Sequence, residues 1–367
     1  MNNKSNDSVI MKGNEALAEA AIRAGCRFYS GYPITPQTEV LEYLSWRMPE
    51  VGGEFIQTED ELAGINMIYG ASAAGARVLT TSAGPGFSLL QEGISYLVAA
   101  DLPAVILDVS RLGSGLGDIF QSQSDYELAT KGNGHGDTMV ITLTPASVQE
   151  TVDFVLLAYD LAEKYRHPVL ILSDAAIGQM MEGVKLPDFV DHDINKFEWS
   201  VKGRKEGAEP RKITNVSYFC EGGYYGYHNL YADKIKLIKE NEQRWESVMV
   251  DDADIVIVAY GISSRVCKEA VHNAREAGIK LGLIRLKTAT PFPEKAFEEI
   301  SPNCKALMIV EMSISGQLKS DVVVASKGKL PIYAYLSSVD VPESDKVISL
   351  AEDILNNKAK EDLIYEP

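Results

Sequence analysis

Along residues 14–180 the spacing of apolar positions switches repeatedly between a helical and a strand period. NEALAEAAIRAG carries the 3.6-residue repeat of a helix that Gly25 ends, and CRFYSGY reads as a short strand. PQTEVLEYLSWRM then reads as a helix, VGGEFIQ as a strand, the stretch from Glu59 as a helix and RVLTTS as a strand. A helix follows Gly86, PAVILDV is a buried strand, SVQETVDFVLLAYDLAEKY is a long amphipathic helix, and HPVLILSD closes the set as a strand. Alternation of this kind predicts a mostly parallel sheet with helices on both faces, a doubly wound α/β domain over 1–184. Between 185 and 251 the pattern fails. KGRKEGAEPRK is charged and broken by Gly and Pro, and CEGGYYGYHNLYADK is rich in Gly and Tyr. So many aromatic residues predict a connector with some ordered structure rather than a disordered linker. Alternation resumes over 252–367. ADIVIVAYG, IKLGLIRL, KALMIVEM and LPIYAYL read as strands; SSRVCKEAVHNAREAG, PEKAFEEI, GQLKSDVVVAS and SDKVISLAEDILNNK read as helices. This is a second, smaller α/β domain.

Composition narrows the function classes. The net charge of −17 argues against a nucleic-acid partner or an anionic membrane surface. No apolar run approaches the ~18 residues of a membrane span. The opening MNNKSNDS is polar and lacks a signal-peptide core, so the expectation is a cytoplasmic protein with a short frayed N-terminus. Cys26, Cys220, Cys267 and Cys304 are far apart and no C-x-x-C occurs. That spacing predicts no zinc or iron–sulfur site in this chain and no disulfide framework, only thiols packed as small hydrophobes.

In open α/β sheets ligands sit beyond the carboxyl ends of the strands, so the segments after the strands hold the candidate chemistry. After the first comes GYPITPQTE, where Thr35 reads as a helix cap with Pro36 in the first turn and also as a hydroxyl at the mouth of the sheet. After the second comes Thr58-Glu59-Asp60-Glu61. Thr58 and Glu61 have the spacing of a capping box, and the remaining acids suit the helix dipole. Ala63, Gly64, Gly70, Ala71, Ala73, Ala74 and Gly75 make the following helix small-sided, so another backbone can approach it closely and exclude water from Glu61. After the third, Gly84-Pro85-Gly86 is either a tight turn or a place where helix-start N–H groups meet a ligand; G-x-x-x-x-G-K-[ST] is absent. After the fourth, Arg111 opens a long Gly-rich stretch, and an arginine there is either solvated or a bidentate partner for a carboxylate. Gly113, Gly115 and Gly117 match a dinucleotide fingerprint poorly in spacing and position. His135 reads as structural. In the second domain, Ser263 reads as a helix cap.

Taken in order, Y-P-I-T-P, Q-T-E-D-E, T-S-A-G-P-G-F, D-V-S-R and V-E-M-S-I-S-G-Q-L resemble the α subunit of 2-oxoacid:ferredoxin oxidoreductases, from Lys12 to past Leu318. The branched-chain (2-oxoisovalerate) type is the nearer resemblance and the 2-oxoglutarate type the next. The resemblance implies a pyrimidine-type thiamine diphosphate-binding domain, then a domain similar to the carboxyl-terminal domain of transketolases that serves assembly. It implies that Glu61 hydrogen-bonds the cofactor's pyrimidine ring nitrogen, with Glu59 the less favoured neighbour. Gly84, Pro85 and Gly86 would also lie against the cofactor, Thr35 would contact the oxo-acid end of the substrate, and Arg111 would grip its carboxylate. A β-type subunit is implied to hold the diphosphate and Mg2+ through G-D-G…N, a motif missing here. Ferredoxin-like and γ subunits would bring iron–sulfur clusters, coenzyme A would take the acyl group, and ferredoxin the electrons. Relatives have Gly-Gly-Pro after the arginine where this chain has Leu112-Gly113-Ser114, which leaves substrate choice open. Two other readings stay open: a non-oxidative thiamine-dependent decarboxylase or transferase subunit, and a non-catalytic α/β protein.

Overall fold

The structure, a computed structural model, describes residues 8–204, 206, 207, 209 and 211–361; the N-terminal segment expected to fray lies outside the described residues. In chain order the first part holds β1 (Val9–Lys12), α1 (Gly13–Arg23), β2 (Phe28–Gly31), α2 (Thr38–Glu50), β3 (Glu54–Gln57), α3 (Glu61–Ala73), β4 (Val78–Ser82), α4 (Pro85–Ala99), β5 (Ala104–Ser110), β6 (Ile141–Leu143), α5 (Val148–Tyr165), β7 (Pro168–Asp174), α6 (Ala175–Gln179) and β8 (Met181–Val184). The rest holds α7 (Gly223–Asn241), β9 (Trp245–Val248), β10 (Ile255–Ala259), α8 (Gly261–Glu276), β11 (Leu281–Leu286), β12 (Thr288–Thr290), β13 (Ala306–Glu311), α9 (Lys319–Ser326), β14 (Ile332–Leu336) and α10 (Ser344–Leu355).

Seven strands form the first sheet in the order β12-β6-β7-β5-β4-β2-β3. All pairs are parallel except β12 with β6, so a three-residue strand from the second half of the chain closes the edge of the first sheet. Both β5 and β7 are buried along their whole length, as parallel strands covered on two faces must be. The chain runs from β2 outward to β3 and then returns to β4 on the other side. The switch point, where the sheet opens a crevice, therefore lies between β2 and β4.

The second sheet runs β14-β13-β10-β11-β9, with its switch point between β10 and β13. Its inner face shares one apolar layer with the first sheet: Ile65, Phe87, Leu90 and Ile94 belong to the same core cluster as Tyr126, Val256, Tyr260 and Leu307.

Several elements differ from the periodicity reading. PEKAFEEI closes as a 3-10 helix, Glu294–Glu299, because six residues between Pro293 and extended Ile300 are too few for a cooperative α-helix. The Gly/Tyr-rich stretch becomes the 19-residue helix α7, in which only Ile238 is buried. Tertiary contacts hold it: Tyr231 stacks on Tyr227 with centroids 6.1 Å apart, donates its hydroxyl to the Asp137 carbonyl, and accepts the Met139 N–H. The strands β1 and β8 pair with each other outside both sheets.

Candidate active site

The segments carrying Thr35, Glu61, Gly84–Gly86 and Arg111 follow β2, β3, β4 and β5, four neighbours in the first sheet. They meet at its carboxyl end. The contacts are direct. Arg111 donates from Nη1 to the Thr35 carbonyl at 2.7 Å and from Nη2 to the Leu116 carbonyl at 2.6 Å. A Cβ on Gly84 would fall 2.8 Å from Arg111 Nε, and one on Gly86 only 2.1 Å from Glu61 Oε1 and 2.3 Å from Ser82 Oγ. Real Cβ contacts of this kind do not fall below 3.0 Å, so both positions need glycine if the arginine and the glutamate are to stay where they are.

Two expected helix caps are corrected. Helix α3 is capped by Asp60, in extended conformation with φ −160°, whose carboxylate accepts the Ala63 N–H at 2.7 Å. Thr58 instead donates its hydroxyl to the Asp60 carbonyl at 2.7 Å, so there is no Thr58–Glu61 capping box. Asp60 satisfies the exposed donor, and Glu61 is relieved of that duty. Glu61 is only 5% exposed, and its one hydrogen bond among the described residues comes from Ser82 Oγ at 3.4 Å. Glu59 is exposed to solvent.

Thr35 does not cap α2 either. The helix starts three residues later, at Thr38, with Gln37 as its flanking residue and no side-chain cap. The fully buried Gln37 ties down the loop instead. Its amide nitrogen donates to the Tyr32 carbonyl at 2.9 Å, and its oxygen accepts from Thr81 Oγ1 at 2.6 Å. Thr35 is left exposed, with its hydroxyl outside the hydrogen bonds described.

Arg111 is not solvated: it is 6% exposed, and its buried Nε–H has no partner among the described residues. Asp125 donates its backbone N–H to Ser110 Oγ at 3.3 Å, and burial pushes its carboxyl above the usual range. Asp108, on β5, has both oxygens buried and unpartnered, and burial together with Asp125 drives it well up, toward the neutral acid.

His135 is exposed and bonds Ser95 Oγ through Nδ1 at 3.3 Å, away from the cluster. A cavity of about 1140 Å3 lies between loop 130–139, α7 and residues 289–295, and none of the six candidates lines it. The crevice at the switch point is therefore located by topology and contact, not by cavity size. Sequence reasoning missed Ser82, Gln37 and the Asp108–Asp125 pair; Thr80-Thr81-Ser82, three hydroxyls running into G-P-G at a buried strand end, is the one signal that pointed at Ser82. Among the described residues no group of His, Cys, Asp and Glu side chains is placed to hold a metal ion.

The glycine cradle against a buried carboxylate, together with the orphaned Nε–H, fits a ligand with a polar ring edge and an anionic neighbour. Residues 19–248 match the family model "Pyruvate flavodoxin/ferredoxin oxidoreductase, thiamine diP-bdg", and residues 253–341 match "Pyruvate:ferredoxin oxidoreductase core domain II". The ketoisovalerate oxidoreductase subunit VorB of Methanothermobacter marburgensis is 48% identical over 86% of this chain and 89% of its own. The 2-oxoglutarate synthase subunit KorA of Methanocaldococcus jannaschii is 37% identical over 85% and 90%. Among solved structures, 2-oxoglutarate:ferredoxin oxidoreductase from Magnetococcus marinus, with 2-oxoglutarate, coenzyme A and succinyl-CoA bound, superposes with a TM-score of 0.84 at 26% identity, over 96% of this chain and 66% of that one. A split-gene transketolase (TM-score 0.59, 14% identity) shares the fold alone. The fold is thus a thiamine diphosphate-binding domain followed by a transketolase-like domain, and the chain belongs to the pyruvate flavodoxin/ferredoxin oxidoreductase family, as an α-type subunit of the 2-oxoacid:ferredoxin oxidoreductases.

Proposed function

We propose that this chain is the α subunit of an enzyme that oxidatively decarboxylates a branched-chain 2-oxo acid of the 2-oxoisovalerate type to acyl-CoA and CO2, passing two electrons to ferredoxin. The observation that carries the reading is Glu61, a buried carboxylate free of capping duty at the mouth of the sheet. Thiamine diphosphate, when bound, supplies the electron sink for CO2 release. The chain's own residues prepare for it. Glu61 holds and exchanges a proton at the pyrimidine ring nitrogen, Gly86 lets the ring edge and the carboxylate meet, and the water-poor cradle keeps that proton from leaking. Arg111 has five N–H groups, two of them committed to carbonyls, and offers the remainder to the substrate carboxylate. The exposed Thr35 hydroxyl would meet the oxo-acid end.

The loop after Arg111 favours an apolar substrate side chain. Residues 112–120 present Leu116, Ile119 and Phe120, exposed at 81%, 58% and 55%, and carry the acid Asp118 with no second cation. The second carboxylate of 2-oxoglutarate would find no partner there.

The outward face of α3, with Leu62, Met67, Gly70 and Ala74 exposed and nothing within 4 Å of a Cβ on Gly70, suits close approach by the β-type subunit that holds the diphosphate and Mg2+. The iron–sulfur clusters are assigned to the partner subunits, since the four cysteines of this chain are far apart in sequence.

The test is copurification with those subunits, then viologen reduction with 2-oxoisovalerate and 2-oxoglutarate in the presence of coenzyme A. Glu61→Gln should cut cofactor-dependent turnover by about 100-fold or more. Undiminished turnover in the assembled variant overturns the assignment, and a preference for 2-oxoglutarate overturns the substrate choice.

A further inference from the structure

The loop that carries Arg111 does not end in the first domain. Residues 122–127 cross to the second domain and enter the crevice at its switch point, between the carboxyl ends of β10 and β13. Gln123, 2% exposed, spends nearly every hydrogen-bonding group it has there. Its Nε2 donates to the Tyr260 carbonyl at 3.0 Å, while its Oε1 accepts from Ser263 Oγ at 2.6 Å and from the Met312 N–H at 3.0 Å. Its backbone N–H donates to the Met312 carbonyl at 2.7 Å, and its carbonyl accepts the Tyr260 hydroxyl at 3.0 Å. Gly261, at φ +54°, makes room: a Cβ there would lie 2.9 Å from Gln123 Nε2. The neighbours follow suit, with Ser122 Oγ on the Met312 carbonyl and Gln317 Nε2 on the Ser124 carbonyl. The place where a sheet of this kind ordinarily receives a ligand is thus filled by the chain itself. Ser263 therefore serves Gln123 and does not cap α8, whose flanking residue Tyr260 has no side-chain cap.

The other side of the same segment holds Arg111. Ser124 Oγ donates to the Arg111 carbonyl at 3.0 Å, Gln121 pairs with Arg111 in an isolated antiparallel bridge, and the Leu112 N–H bonds the Phe120 carbonyl, closing the neck of the loop. One strut therefore has the second domain at one end and the Arg111 backbone at the other.

We propose that Gln123 is a positioning residue for substrate binding: by filling the second domain's crevice it fixes the backbone of Arg111 and the 112–120 loop, so the second domain sets the grip on the substrate without touching it. This rests on the reading of Arg111 as the carboxylate partner. Its buried partners make Gln123 costly to lose, because truncation leaves the Met312 N–H and the Ser263 hydroxyl unpaired, while the Tyr260 carbonyl keeps only its bond from the Ser264 N–H.

The test uses the assembled complex. In Gln123→Ala the KM for the 2-oxo acid should rise about tenfold while the KM for coenzyme A stays within about twofold. Amide exchange across 112–120 should quicken by about tenfold. In an Arg111→Lys background the same change should add less than about twofold, because the two residues act as one unit. Equal losses on both substrates, or effects that multiply in the double variant, overturn the proposal. Should Gln123→Ala fail to assemble, Ser263→Ala removes a single bond. A rise of about threefold in the KM for the 2-oxo acid supports the strut, and an unchanged KM with unchanged exchange refutes it. An Arg111→Lys complex with an unaltered KM for the 2-oxo acid overturns the substrate reading of Arg111 instead, leaving the exchange rates to decide the anchoring.

Discussion

Replacing Gly86 by alanine tests the cradle around Glu61 with a single methyl group. Gly86 has a helical backbone inside α4, so alanine can adopt it without strain. The methyl carbon would sit 2.1 Å from Glu61 Oε1 and 2.3 Å from Ser82 Oγ. Ordinary contact begins near 3.4 Å, so the carboxylate has to retreat by about 1 Å. Both crowded atoms are free ends of side chains, and Ser82 relieves its contact by rotating. The fold therefore gives way cheaply, at about 1 kcal/mol, near the low end for overpacking. Catalysis does not, since a misplacement of about 1 Å at a reacting group costs on the order of 100-fold. The expected result is an assembled complex with a nearly unchanged melting temperature and about 1% of the wild-type viologen reduction. Adding Glu61→Asp, which shortens the acid by one methylene, should restore the lost stability and none of the activity. Turnover of Gly86→Ala within about threefold of wild type would refute the reasoning, because the carboxylate would then not be held where the glycine allows.

Two further perturbations probe the frame around the site. Glu311, buried at the end of β13 and bonded to Ser313 Oγ at 2.7 Å, has its carboxyl pushed up to about 7 by burial, from an ordinary 4.5. As pH rises from 4.5 the unfolded chain gives up this proton first, so the group stabilises the fold below 4.5 and that contribution is lost by about pH 7. Relative to wild type, Glu311→Gln should therefore gain about 3 kcal/mol in urea unfolding between pH 4.5 and 7.5, and a pH-independent difference contradicts the assignment. Asp60→Ala removes the cap on the Ala63 N–H and should cost about 1 kcal/mol in the same assay. The equivalent loss from Thr58→Ala, with none from Asp60→Ala, would restore the capping box.

How far the sequence reached depended on distance along the chain. Most strands of both sheets declared themselves as apolar runs bounded by Gly, Pro or Asp, whereas β6, β9 and β12 did not, because three or four residues carry too little period to be read. The four strand-end segments stood out because each carries a residue that core packing does not explain. Local spacing misassigned the caps. Thr58 and Asp60 are both good cap residues, and only the backbone decides between them: Asp60 is the one in extended conformation at the helix start. Thr35 and Pro36 looked like a cap and a first turn, but the helix begins after a buried glutamine whose partner, Thr81, lies 44 residues away. Gln123 was wholly illegible. It sits in the bland stretch QSQSD, and its partners are 137, 140 and 189 residues distant. Nothing in local pattern distinguishes a glutamine that fills a crevice from one that is solvated.

The three consecutive acids show how the chemistry is divided. Glu59 is exposed and remains in water, Asp60 is half-buried and closes the helix, and Glu61 is buried against Gly86. In the role proposed for Glu61, exchange of a proton with a ring, a carboxylate cannot also be a committed acceptor for a helix N–H, since the cap bond would hold it turned toward the backbone. Placing the cap one residue earlier removes that conflict. Asp60 has the shorter side chain, which reaches the N–H three residues on, whereas Glu61 has the extra methylene that extends beyond the helix start to the glycine turn after β4. The order Asp then Glu is therefore the order this site requires. Exchanging them should cost both cap and catalysis, although the net charge and the sequence composition would be unchanged.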